Sequence, residues 1–216
     1  MDTPRMYAGL AQWWPLLSPP TDYDQEASTI AGLLRTAATP VRTILELGSG
    51  GGHNAVHLSR DFEMTLVDIS PAMLAVSTAL NPGCQHLEGD MRTLRLGRTF
   101  DAVLIHDAID YMLTVDELDA AFETARVHLR PRGQLLVMPD HVAETFEPAT
   151  EHGGSDAGDG SGIRYLAWTH DPDLGDQQVV TDYVYALRDA DGVVTSEAER
   201  HHFGLFSQAQ WSAAMV

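Results

Sequence analysis

The chain has 216 residues, 44% hydrophobic and 20% charged, and no apolar run approaches the roughly 18 residues that a membrane helix needs, so one compact domain with at most a small subdomain is expected and a membrane partner is not. Thirty-one acidic residues against 13 basic ones give a formal charge of −18, a field that repels nucleic acid and anionic surfaces. All the basic residues are arginine, so no lysine is available for a Schiff base or a phosphate loop, and a single cysteine, Cys84, excludes an internal disulfide and a Cys-rich zinc site.

The N-terminus carries Asp2 and lacks the basic-then-apolar order of a signal peptide, which makes the cytoplasm the expected compartment. After Tyr7, Trp13, Trp14 and the breakers Pro15, Pro19 and Pro20, residues 22–38 place Ala27, Ile30, Ala31 and Leu34 at helical spacing. Apolar runs at 43–47, 64–67, 85–87, 102–105 and 134–138 read as strands, and segments 54–60, 71–80 and 115–129 between them read as helices. This alternation predicts an α/β fold with a doubly wound, mostly parallel sheet. Residues 147–162, EPATEHGGSDAGDGSG, have too few apolar groups to bury and predict a mobile loop. Period-two runs at 165–169, 179–187 and 193–206, with a turn at 189–192, predict a small antiparallel cap sheet. The expected organisation is an N-terminal lid and helix at 1–41, an α/β core at 42–146, the loop at 147–162, the cap at 163–206 and the start of a last helix at 207–216.

Glu46-Leu47-Gly48-Ser49-Gly50-Gly51-Gly52 follows the first strand and opens a helix. Glycine lets the backbone come close to a ligand, and a helix start offers free N–H groups. Asp68, next to Ile69, ends the second strand about 20 residues beyond Gly48, the distance at which an acid accepts ribose hydroxyls. Asp90 follows the third strand and can meet an adenine amino group, with Met91 and Met73 packed on the ring. Each acid taken alone is more often a strand-end cap, and it is their order that points to a nucleoside.

In this order the residues resemble those of the class I S-adenosylmethionine-dependent methyltransferases: an acidic residue before alternating glycines at 46–52, a ribose acid at Asp68 and an adenine loop at Asp90 and Met91. The resemblance implies S-adenosylmethionine as cofactor. The chain is also similar to aminosugar N,N-dimethyltransferases of antibiotic pathways through 22–27, 89–92, 95–98, Tyr111, 144–146 and 201–206, with Asp140 and His141 standing where that family carries paired tryptophans. This likeness implies that Tyr23 helps hold the cofactor's carboxylate and that Trp14 closes over the cofactor. The class I fold ends with a helix and an antiparallel strand pair. Here a helix is expected from Ser207, and those strands are not found after it, which leaves a truncated chain or a sheet edge covered by a partner, a homodimer included.

In open α/β sheets ligands gather beyond the carboxyl ends of the strands. That places His106, Asp107, Asp110 and Tyr111, then Asp140 and His141, on the acceptor side, with His201 on a cap strand; His106 also borders the cofactor. Acids there suit an amine and disfavour a highly anionic acceptor, whereas a histidine suits a hydroxyl. The expected activity is methyl transfer to an amine, or a hydroxyl, of a small-molecule acceptor. A metal-assisted O-methyltransferase and a non-catalytic cofactor-binding subunit are the alternatives, and no metal ligand is assigned.

Overall fold

The computed structural model of the chain describes residues 3–215. Five parallel strands, β1 (Thr43–Leu47), β2 (Glu63–Asp68), β3 (Gln85–Glu88), β4 (Phe100–Ile105) and β5 (Leu129–Val137), lie in the order β3-β2-β1-β4-β5. The order reverses at β1, so the carboxyl ends of β1, β2 and β4 enclose a crevice. β1 runs Thr-Ile-Leu-Glu-Leu with its last four residues buried. This continuous burial follows from helices covering both faces. Ile44, Leu66 and Leu104 pack against Ile30 and Leu34, while Leu45, Val103 and Ile105 pack against Leu118, Phe122 and Trp211.

The helices are α1 (Trp14–Leu17), α2 (Asp24–Arg35), α3 (His53–Leu58), α4 (Pro71–Leu80), α5 (Val115–His128) and α6 (Gln208–Ala214). Ala27, Ile30, Ala31 and Leu34 form the buried stripe of α2. α4 starts with Pro71 behind Ser70, whose side chain accepts the Met73 N–H. Thr114 does the same for α5 through the Glu117 N–H, and Ser207 and Gln210 form a capping box on α6. The expected reach of this last helix to Val216 lies outside the described residues.

A second sheet, in the order β6-β7-β8-β9, is antiparallel and comprises β6 (Ala149–Gly153), β7 (Gly162–His170), β8 (Gln178–Arg188) and β9 (Val194–Gly204). The expectation of a mobile loop over 147–162 is therefore corrected: its first part is strand β6, paired with β7 from Ala149↔Thr169 to Gly153↔Tyr165. An edge strand needs backbone partners rather than apolar side chains, and β7 supplies them. The remainder is tied by Asp156, whose carboxylate pairs with Arg164 at 2.6 Å and Arg188 at 2.8 Å. The N-terminal segment, short 3-10 turns at Arg5–Tyr7, Ala11–Trp13 and Pro20–Tyr23 with α1 among them, runs between the two sheets. Its Met6 packs with Ile163, Tyr185 and Leu187 of the cap.

Candidate active site

The turn after β1 is built from hydrogen bonds that leave little freedom. The Gly48 and Ser49 N–H groups donate to Val67 O at 2.8 and 2.9 Å, and Gly50 N–H donates to Asp68 Oδ2 at 2.7 Å. Gly48, Gly50 and Gly52 take φ of 73°, 52° and 73°, the left-handed region that glycine enters without strain. At Gly48 close approach demands glycine as well: a Cβ there would run into Ala108 Cβ and come within 2.8 Å of Met91 Cε. Met73 Cε lies 3.6 Å from the corresponding point on Gly50, so both methionines border the loop.

Asp68 also accepts the Ser70 N–H at 2.8 Å on Oδ1, joining the glycine turn to the start of α4. Burial raises its carboxyl pKa, and the Ser70, Gly50 and Ile69 amides oppose that rise. Ile69 projects into solvent beside it. Asp90 is engaged differently: Arg92 donates to both of its oxygens, from Nε at 3.0 and 3.1 Å and from Nη2 at 2.7 Å, and reaches on to Glu117 at 2.5 Å. Asp90 therefore secures the turn after β3 with its carboxylate already paired.

Several buried polar atoms next to the glycine turn have no protein partner: Glu46 Oε2, Ser49 Oγ, Asn54 Oδ1 and both ring nitrogens of His53. Burial pushes the Glu46 carboxyl up to about 8 and the His53 imidazole down to about 4. Orphaned donors and acceptors of this density are costly unless a ligand satisfies them, and an ammonium and a carboxylate on one molecule would do so. Trp14 roofs this region. Its indole edge lies 2.6 to 2.9 Å from where a Cβ on Gly51 would sit, and it stacks on His53 with ring centroids 6.0 Å apart. Tyr23 meets His53 edge-on at 5.3 Å, donates or accepts at Ser18 Oγ over 2.8 Å, and has its hydroxyl pKa raised by burial to about 12.

His106 is held on both sides, Nε2 at 3.0 Å from Glu26 Oε1 and Nδ1 at 2.7 Å from Asp107 Oδ1, while Glu26 also accepts from Asn54 Nδ2 at 2.8 Å. Burial lowers its pKa, but Asp107 and Glu26 outweigh burial and bring it to about 10. The imidazole stays protonated at neutral pH and cannot act as a base. Asp110 is buried and accepts the Asp140 and His141 N–H groups at 2.8 and 3.2 Å, clamping the end of β5 to the turn after β4. Among the described residues no group of three or more His, Cys, Asp or Glu is placed to hold a metal ion.

A second space, a cavity of about 160 Å³ between the N-terminal segment and the cap sheet, is bordered by Tyr7, Trp14, Glu151, Tyr165, Tyr183 and His201, and Tyr111 stands behind Tyr7 and His201. Tyr111 Oη is 2.7 Å from His201 Nδ1 and 3.0 Å from Tyr7 Oη. Burial raises all three hydroxyls of Tyr7, Tyr111 and Tyr183 above the ordinary phenol value, so they remain protonated donors. His141 stands apart, edge-on to Phe146 and Phe203 at 5.8 and 5.5 Å, with its pKa lowered by burial. Sequence reasoning missed Glu26, His53, Asn54, Tyr7, Glu151 and Tyr183. Helical and strand periodicity marks which face each occupies, but the facing element comes from a distant part of the chain.

Residues 44–133 match the family model described as a methyltransferase domain. The sheet order and the glycine turn are those of the class I methyltransferase fold, and with this domain the chain is a methyltransferase whose cofactor is S-adenosylmethionine. Among curated relatives, the dTDP-3-amino-3,6-dideoxy-alpha-D-glucopyranose N,N-dimethyltransferase of Streptomyces fradiae is 29% identical over 90% of this chain and 76% of its own length. The dTDP-3-amino-3,4,6-trideoxy-alpha-D-glucopyranose N,N-dimethyltransferase of Streptomyces venezuelae is 35% identical over 58% of this chain, and the match spans about half (54%) of that relative. Among solved structures, a sugar N-methyltransferase from Streptoalloteichus superposes with a TM-score of 0.79 at 26% identity, over 91% of this chain and 78% of its own.

Proposed function

We propose that the chain transfers a methyl group to the amine of a small aminosugar-like acceptor, in the cytoplasm. The observation that carries this reading is the cavity beside the glycine turn, with an aromatic wall of Tyr7, Tyr165 and Tyr183 and one carboxylate, Glu151. Tyrosine faces and a carboxylate attract a cation, and a volume of about 160 Å³ suits a group the size of a single ring. Asp140 lies close to Asp107 and Glu151, and its pKa is raised by burial and then by these neighbours. Such a group binds an ammonium and can take its proton, releasing the nitrogen lone pair.

Glu46, Ser49, His53 and Asn54 would hold the amino acid end of the cofactor, Asp68 the ribose, and Met73 and Met91 the adenine. When bound, S-adenosylmethionine supplies a sulfonium methyl whose C–S bond breaks as the new N–C bond forms, leaving a neutral thioether. The protein's own part is alignment: Trp14 and Tyr23 close the crevice against water, and His106, a fixed imidazolium between Glu26 and Asp107, keeps the β4 turn in place.

Among the described residues no arginine borders the cavity, so the diphosphate of a nucleotide-linked sugar meets no cation there. A free or glycosidically linked aminosugar is the better acceptor. Incubation of labelled S-adenosylmethionine with amine, hydroxyl and dTDP-linked panels tests this. The expected outcome is labelling of an amine, and labelling confined to hydroxyl compounds would overturn the reading. Asp68→Ala is expected to weaken cofactor binding, measured by calorimetry, by roughly 10- to 100-fold, because it removes an acceptor from two loop amides and from the ribose. Unchanged affinity would place the ribose elsewhere.

A further inference from the structure

Along β9 the two-residue repeat of a strand puts Glu197, Glu199, His201 and Phe203 on one face, while Ala198, Arg200 and His202 are exposed on the other. The first face looks onto the N-terminal segment and the acceptor cavity. A carboxylate at 199 is out of place there by composition. Its side chain is only 9% exposed, and it stands among Tyr185, His201 and Met6. A buried charge needs partners, and the partners of Glu199 are informative.

Glu199 Oε2 accepts the Arg5 N–H at 2.6 Å, and Oε1 accepts the Met6 N–H at 3.2 Å and the Tyr185 hydroxyl at 3.3 Å. The 3-10 turn Arg5–Tyr7 has no side-chain cap of its own, since Pro4 precedes it. A residue more than 190 positions away supplies the cap. The same Oε1 lies 3.1 Å from His201 Nε2, an ion-pair distance without the alignment of a hydrogen bond. Tyr111 has one O–H and donates it to Tyr7 Oη at 3.0 Å, so in its 2.7 Å contact with His201 the ring Nδ1–H donates to the phenol oxygen, and the carboxylate beside Nε2 holds the ring in that place.

We infer that Glu199 is a positioning residue that latches the N-terminal lid to the cap sheet and, through the His201 ring, steadies Tyr111 in its hydrogen bond to Tyr7 on the wall of the acceptor cavity. From the latch the chain passes directly to Tyr7, whose carbonyl accepts from the Ser70 hydroxyl at the start of α4, and then to Trp14 over the glycine turn. One carboxylate thus joins the roof of the cofactor crevice to the wall of the acceptor cavity. The inference rests on the methyltransferase reading only for its consequence in catalysis, because the latch itself is a property of the free chain.

Hydrogen exchange of the amides at residues 5–8 in the full chain and in Glu199→Ala and Glu199→Gln tests the latch without cofactor. The expected result is a loss of protection at Arg5 and Met6 of about 10- to 100-fold in Glu199→Ala, the range that a charge-assisted hydrogen bond confers. A smaller loss is expected in Glu199→Gln, which keeps one acceptor oxygen, with protection in β7 and β8 unchanged in both. With a methylated amine in hand, KM for S-adenosylmethionine should rise about tenfold in Glu199→Ala. Glu199→Gln should recover KM more than kcat, since an amide can cap the turn but carries no charge to hold the His201 ring. Unchanged exchange at residues 5 and 6, or a loss spread evenly over the cap sheet, would overturn the latch. Failure of the wild-type chain to bind cofactor would overturn the methyltransferase reading and leave the exchange result to decide the latch.

Discussion

Replacing Gly48 with alanine is expected to abolish cofactor binding and to destabilise the fold by about 2 to 5 kcal/mol, read by denaturant unfolding and calorimetry. Two separate costs combine. An L-residue held at the φ of 73° found here costs about 1 to 2 kcal/mol. A methyl forced against Ala108 Cβ and Met91 Cε adds about 1 to 3 kcal/mol of overpacking. Met91 has a flexible end that can swing aside, but Ala108 has only its backbone to move, and that backbone belongs to the turn after β4 which carries His106 and Asp107. Gly97 is the internal control. Its φ is 67° and a Cβ there meets nothing within 4 Å, so Gly97→Ala should show the conformational cost alone and leave cofactor affinity intact. Equal losses in the two variants would mean that the contact with Ala108 contributes nothing.

The second large effect is on the pH dependence of stability, expected to fall from pH 5 to pH 9, less steeply below 6.5, where His53, pushed down to about 4 by burial, acts in the opposite direction. Burial holds the Glu46 carboxyl at about 8 and the Asp110 carboxyl, with Asp140 and Asp107 nearby, also at about 8, against ordinary values of 4.5 and 3.8. Between those limits the folded chain keeps a proton that the unfolded chain has released, so stability declines as pH rises through this window. His106 acts in the same direction by the opposite chemistry. Its imidazolium, favoured by Asp107 and Glu26 up to about 10 against an ordinary 6.5, contributes fully below 6.5 and is lost as pH climbs through 10. Glu26, Asp90, Asp101 and Glu199 lie below their ordinary values, so they withdraw stability only under more acid conditions. Thermal melts across this range check the slope, and Glu46→Gln should flatten its acid-to-neutral half. A Tm that rises from pH 5 to pH 9 would show that the buried acids are ionised and paired.

The parallel sheet and its helices were legible because their signals are local. Ala27, Ile30, Ala31 and Leu34 mark one face of a helix by spacing alone, the β1 run is apolar because both its faces are covered, and Gly48 to Gly52 must turn sharply wherever they lie. Asp68 beside the glycine turn follows from the same local rule, since parallel neighbours bring equivalent strand ends together. Strand β6 was not legible. Its residues bury nothing, and only the free edge of β7 makes a strand of them.

The roles of individual histidines and acids were the least accessible to sequence. His106 looks like a base until Glu26, 80 positions earlier on α2, is found against its other nitrogen, and Asp110 looks like a mouth residue until its Oδ2 is seen to hold the amides of both 140 and 141. Sequence alone determined the class of fold, the cofactor turn and the excess of negative charge, because periodicity, glycine and composition act over a few residues or over the whole chain at once. Tertiary structure alone decided which carboxylates are paired, which are neutral, and that Glu199 faces the first residues of the chain. A pKa and a hydrogen bond depend on neighbours a few ångströms away in space, and here those neighbours lie up to 194 residues away in sequence.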